Sequence, residues 1–136
     1  MQYPASVLHD GPYQFQKHYY RVVGAMNGEE TLCAQVIDSS PKVKYWVRNL
    51  ERQPQFSFWL QTATDRFYPD FLVLLEDGRI LAVEYKGAHL LTTDDTKEKR
   101  QIGDLWAARS NGRCLFLLLS EADYQTRLQS LLAAVT

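Results

Sequence analysis

The spacing of apolar positions changes along this chain, and that spacing separates helices from strands. Leu32, Cys33, Val36 and Ile37 fall on one helical stripe and predict a helix from Gly28 to Asp38. Asn27 is a suitable N-cap, and Glu29 and Glu30 suit the positive end of the helix dipole. Two strands follow, Lys44–Asn49 and Phe56–Gln61, separated by the breaker Gln53-Pro54-Gln55. Tyr68–Leu75 and a run from Arg79 to Tyr85 or Lys86 make two more, joined through Glu76-Asp77-Gly78, a strong hairpin signal. Thr93-Asp94-Asp95 opens a helix from Asp95 to Ser110, with Ile102, Leu105, Trp106 and Arg109 on one face and Asn111-Gly112 as its stop. The unbroken apolar run Cys114–Leu119 reads as a strand buried on both faces, hence in the middle of the sheet. A last helix is predicted over Glu121–Ala134. The segment Met1–Asn27, rich in Tyr, Pro and Gly, reads as an arm or edge strand, most strand-like over His18–Val23. The order predicts an α/β domain over residues 28–136, a mixed sheet flanked by helices.

Some polar residues interrupt these patterns. Glu84 and Lys86 share one face at the end of a hydrophobic strand, where unpaired charge is costly. On the partner strand, Asp70 follows Pro69 and precedes an apolar run. If Glu76-Asp77-Gly78 is a three-residue loop with Gly78 left-handed, Leu75 pairs with Arg79, and counting back sets Asp70 opposite Glu84. A two-residue Asp77-Gly78 turn would put Asp70 opposite Tyr85, on the wrong face. In the first helix, at about 100° per residue, Glu29 lies at the centre of the apolar stripe and Glu30 about 90° to one side.

Composition narrows the class. A chain of 136 residues fits one domain and buries enough surface to fold without staples. Its 2 cysteines lie in apolar patterns, as free buried thiols do. Met1–Asp10 has neither a basic leader nor an apolar core, so a cytoplasmic protein is expected. A net charge of −1 leaves any nucleic-acid contact to a local basic patch or a partner domain.

Facing carboxylates repel unless a divalent cation lies between them. Hard oxygen ligands from Asp70, Glu84 and the Tyr85 backbone carbonyl suit Mg²⁺ or Mn²⁺. Lys86 beside them can orient a water or neutralise charge developing on a phosphate. Lys97, Lys99 and Arg100 cluster at the start of the second long helix, Lys99 nearest its buried stripe, and Arg48, Arg52 and Arg66 are further candidates for a DNA backbone. His89 could line the cleft, while Trp46, Trp59 and Trp106 read as core.

The segment Phe67-Tyr68-Pro69-Asp70, followed by Glu84-Tyr85-Lys86, resembles the PD-(D/E)xK nuclease superfamily. The element order from Gly28 to Ser120 is similar to its αβββαβ core, the restriction-endonuclease-like fold. Arg66–Phe71 and Val83–Gly87 look closer still to the nuclease domain ending the restriction subunit of type III restriction enzymes and related DEAD/DEAH helicases. The resemblance implies a Mg²⁺-dependent endonuclease acting on DNA, with Asp70 and Glu84 as metal ligands and Lys86 as the catalytic lysine. It also implies a glutamate from the first helix; Glu29 matches by facing, with Glu30 as competitor. No GxxxxGK[ST] loop occurs, so a helicase or ATPase motor would be a separate partner. The alternative from another class is a catalytically silent module of the same fold that grips DNA or docks a motor subunit.

Overall fold

The computed structural model describes residues 3–136, so Met1 and Gln2 of the expected arm lie outside the described residues. Its framework is a mixed four-stranded sheet with helices on both faces. In chain order the elements are α1 (Gly28–Ser39), β1 (Val43–Arg48), β2 (Leu60–Gln61), β3 (Arg66–Phe67), β4 (Phe71–Leu75), β5 (Ile80–Tyr85), α2 (Asp94–Ala108), β6 (Cys114–Leu119) and α3 (Tyr124–Ala133). The sheet order is β1-β4-β5-β6. The first three strands are antiparallel, and β6 lies parallel to β5 after the α2 crossover.

Alternation along the strands divides the core in two. Trp46, Phe71, Val73, Leu81, Val83, Leu117 and Leu119 face α1 and α3, meeting Cys33, Ala34, Ile37, Leu128 and Leu132. Ala82, Phe116 and Leu118 face α2 and pack with Phe67, Trp106 and Ala107. A Cβ on Gly103 would come within 2.4 Å of the Phe116 ring, so the missing side chain lets α2 lie this close to the sheet.

The hairpin turns as the spacing predicts. Leu75 N–H donates to the Arg79 carbonyl at 2.9 Å, Gly78 N–H to the Leu75 carbonyl at 2.9 Å, and Gly78 has φ +89°. Leu74 pairs with Ile80 and Phe71 with Val83.

Four expectations need correction. The strand predicted over Phe56–Gln61 survives only as Leu60–Gln61, paired with Arg66–Phe67 in a separate two-stranded ribbon. Its first half is held by a side chain instead: the buried Asn49 amide donates to the Phe58 carbonyl at 2.8 Å and accepts from its N–H at 3.0 Å. The strand predicted from Tyr68 starts at Phe71, because Pro69 has no N–H to give the ladder. The arm folds on itself through an isolated bridge of Leu8 with Gly24, touches the sheet through one of His18 with Trp46, and forms no continuous strand among the described residues. The last helix starts at Tyr124 rather than Glu121, after a turn closed by the Asp123 carboxylate on Ser120 N–H at 2.8 Å.

Helix α1 is also rotated from its expected facing. Cys33, Ala34, Ile37 and Asp38 are buried, while Leu32 is 49% exposed. Asp38 causes this. Its carboxylate accepts from Lys17 N–H at 2.8 Å, Gln16 N–H at 3.0 Å and the Trp46 indole at 2.9 Å. Turning Asp38 inward ties the arm to the sheet and swings Leu32 out.

Candidate metal and phosphate cleft

The cleft forms where the β4–β5 ladder fails. The next rung would pair Pro69 with Tyr85. Pro69 lacks an N–H, and its carbonyl is taken by Asn49 Nδ2 at 2.9 Å. Tyr85 N–H turns instead to Asp70 Oδ2 at 2.7 Å, and Asp70 N–H donates to Glu84 Oε1 at 3.2 Å. The two acids therefore adjoin, each tied to the other's strand by a carboxylate–backbone bond. In an antiparallel rung one residue's N–H and C=O point the same way, so the Tyr85 carbonyl faces the proline that cannot donate to it.

These residues line a cleft of about 300 Å³ together with Glu30, Arg52, Arg66, Tyr68, Lys86 and Lys99. Glu84 is buried at 4% exposure. Lys86 Nζ lies 3.4 Å from Glu84 Oε2. Burial and then the Glu84 charge push the Asp70 carboxyl up to about 6, against the pull of Arg48 and the Tyr85 N–H. Burial raises the Glu84 carboxyl too, against Lys86. Burial works against the charge on Lys99, but its bond to Asp95 and the nearby Glu84 hold the ammonium above its ordinary range. Lys99 lies 3.1 Å from Asp95 and 5.4 Å from the centre of the Phe67 ring.

The expected third acid is corrected from Glu29 to Glu30. With the α1 stripe centred on Cys33, Ala34, Ile37 and Asp38, Glu30 lies at its middle and Glu29 about 110° away. Glu29 is exposed. Its carboxylate neighbours the Tyr85 hydroxyl, which burial and then Glu29 push up to about 12. Glu30 closes a capping box on Asn27 and reaches Arg48 Nη2 at 3.3 Å. Burial and the Asp70 charge raise its carboxyl.

Among the basic candidates, Lys99, Arg66 and Arg52 line the cleft, whereas Lys97 and Arg100 are exposed on other faces of α2. The buried stripe of α2 runs through Thr96 and Gly103, and Lys99 falls on it. His89 is exposed outside the cleft lining. Trp46 and Trp106 are packed as expected, but Trp59 is 38% exposed and carries the Arg66 guanidinium 4.2 Å above its ring. Arg48, expected at a DNA backbone, points inward and joins Asp70 Oδ1 at 3.0 Å. Its one sequence signal is its place at the end of the strand beside Asp70.

The donor set suits Mg²⁺ better than a dedicated cage. Among the described residues no three His, Cys, Asp or Glu side chains converge to hold an ion unaided. Mg²⁺ is commonly bound by one or two carboxylates with waters and substrate phosphate completing the octahedron. Asp70 and Glu84 could supply those carboxylates, each oxygen with a second lone pair beyond the bond it makes. Burial raises both carboxyls, a loss of hydration that a bound cation would offset.

Compared with known protein families, curated proteins and solved structures, the chain matches none.

Proposed function

We propose that this domain is a Mg²⁺-dependent endonuclease hydrolysing DNA phosphodiesters, with a restriction-endonuclease-like fold. The observation that carries the reading is the failed Pro69 rung, which gathers Asp70, Glu84 and the Tyr85 carbonyl beside the Lys86 ammonium. The succession α1, β1, β4, β5, α2, β6 supports it, because it follows the superfamily's αβββαβ order. Asp70 and Glu84 would hold the ion, with the Tyr85 carbonyl as a further ligand. Bound there, Mg²⁺ would polarise a phosphoryl oxygen and lower the pKa of a bound water. Lys86 places a positive charge where the phosphate gains negative charge in the transition state. Lys99 and Arg66, on two walls of the cleft, fix the strand's phosphates. The DNA would be delivered by a motor of the type III restriction or helicase–nuclease kind, working in the cytoplasm. Among the described residues no helix is long and apolar enough to cross a membrane.

A second reading, a silent module of the same fold, draws on the charge balance. Arg48 and Lys86 already contact Asp70 and Glu84. Plasmid nicking in Mg²⁺, Mn²⁺ or EDTA separates the two. The nuclease reading expects cutting only with metal, abolished by Asp70→Ala and by Lys86→Ala with the circular dichroism spectrum unchanged. Metal-independent cutting, or cutting that survives both substitutions, overturns it; duplex binding without cutting establishes the silent module.

A further inference from the structure

The Arg48 guanidinium is more deeply committed than a surface DNA contact would be. Its side chain is 16% exposed. Nη1 donates to Asp70 Oδ1 at 3.0 Å and to the Asp70 carbonyl at 3.2 Å, Nη2 to Glu30 Oε1 at 3.3 Å, and Nε to the Ala25 carbonyl at 3.2 Å. All three nitrogens are thus engaged, and the planar fork spans two carboxylates.

The backbone beneath it is also fixed. Arg48 N–H donates to His18 Nε2 at 2.9 Å, and the other ring nitrogen lies 2.9 Å from the Tyr20 carbonyl. An accepting Nε2 requires the neutral ring with its proton on Nδ1. Burial, which lowers the His18 pKa, favours that form. The Arg48 carbonyl accepts from the Tyr3 hydroxyl at 2.6 Å. Moving Arg48 aside would break contacts to the arm, to α1 and to the β4 entrance together.

Glu30 is equally committed. Its Oε1 accepts both from Asn27 N–H, at 3.0 Å, and from Arg48. A guanidinium keeps its charge at every working pH. A dication placed between Glu30 and Asp70 would meet that charge at contact range in a poorly solvated site.

We infer that Arg48 is a built-in counter-cation that occupies the position of a second metal ion between Glu30 and Asp70, so that the domain takes one divalent ion, between Asp70 and Glu84. This rests on the nuclease reading for the presence of any ion. Arg48 is then a positioning residue: it fixes the Asp70 carboxylate and withholds Glu30 from the metal.

Counting ions tests this without any cleavage assay. The full chain is titrated with Mn²⁺, and free Mn²⁺ is followed by electron paramagnetic resonance. One ion per wild-type chain is expected. Arg48→Met, which keeps an unbranched side chain but removes the charge, should take two, and adding Glu30→Gln to it should return the count to one. Glu30→Gln alone should also bind one, which serves even if Arg48→Met does not fold. Two ions on the wild type, one on a folded Arg48→Met, or none on Glu30→Gln overturns the inference. No ion on the wild type overturns the nuclease reading itself.

Discussion

Replacing Asp70 with Asn should stabilise the metal-free protein while removing its response to metal. The Asp70 carboxyl moves from an ordinary 3.8 to about 6 on folding. A carboxyl that holds its proton more tightly when folded loses stability as pH rises, here between about 4 and about 6. Above that window the ionised group costs about 3 kcal/mol, from roughly two pKa units at about 1.4 kcal/mol each. The Asp70→Asn amide would keep an acceptor for Tyr85 N–H and lose the Arg48 bond, a loss already contained in that figure because Arg48 pulls the same pKa down. The net expectation at pH 7.5 in EDTA is a gain of about 2–3 kcal/mol, or a Tm higher by roughly 6–10 °C. The advantage should vanish below about pH 4, where the wild-type carboxyl is protonated in both states. With Mg²⁺ at about a hundred times its Kd the wild type should gain about 2.7 kcal/mol, and Asp70→Asn almost nothing. Urea unfolding at pH 3.5 and 7.5, each in EDTA and in Mg²⁺, reads all of these. A variant less stable than the wild type in EDTA at pH 7.5 would refute the reasoning, because Arg48 would then fully satisfy the ionised acid.

Three further outcomes follow from particular contacts. Asp38→Ala should cost about 3 kcal/mol or more in urea, since it strands buried donors from Lys17, Gln16 and Trp46; it should also speed proteolysis of the arm. Gly103→Ala should destabilise by about 1–3 kcal/mol despite better helix propensity, because the new methyl meets the Phe116 ring. Arg66→Ala should weaken duplex binding, measured by anisotropy in Ca²⁺ across a salt series, and reduce the slope of log affinity against log salt by about 1.

The fold was legible wherever a local rule had no competitor. The hairpin register follows once Gly78 closes a three-residue loop, and the unbroken run at Cys114–Leu119 is a strand packed on both faces, although it lies at the edge of the sheet rather than in its middle, with Cys114 and Leu115 half-buried. Helix facing was less legible, because a single polar residue outweighed propensity. Apolar counting puts Leu32 inside, but Asp38 has four polar partners to satisfy and turns α1 about them, which exchanges Glu29 for Glu30 at the cleft. The Phe56–Gln61 pattern misled for a similar reason: the Asn49 amide imitates a strand edge and satisfies Phe58 without a ladder. In the cleft, Asp70, Glu84 and Lys86 could be read from spacing. Arg48 could not, because its role depends on contacts with α1, the arm and β4 that no local pattern encodes.

The central claim is a divalent ion at the broken Pro69 rung. Anomalous diffraction from Mn²⁺-soaked crystals tests it most directly. The expected result is one strong peak, about 2.1–2.2 Å from a carboxylate oxygen of both Asp70 and Glu84 and facing the Tyr85 carbonyl. A Mn²⁺ peak elsewhere on the protein with none between those two acids would contradict it.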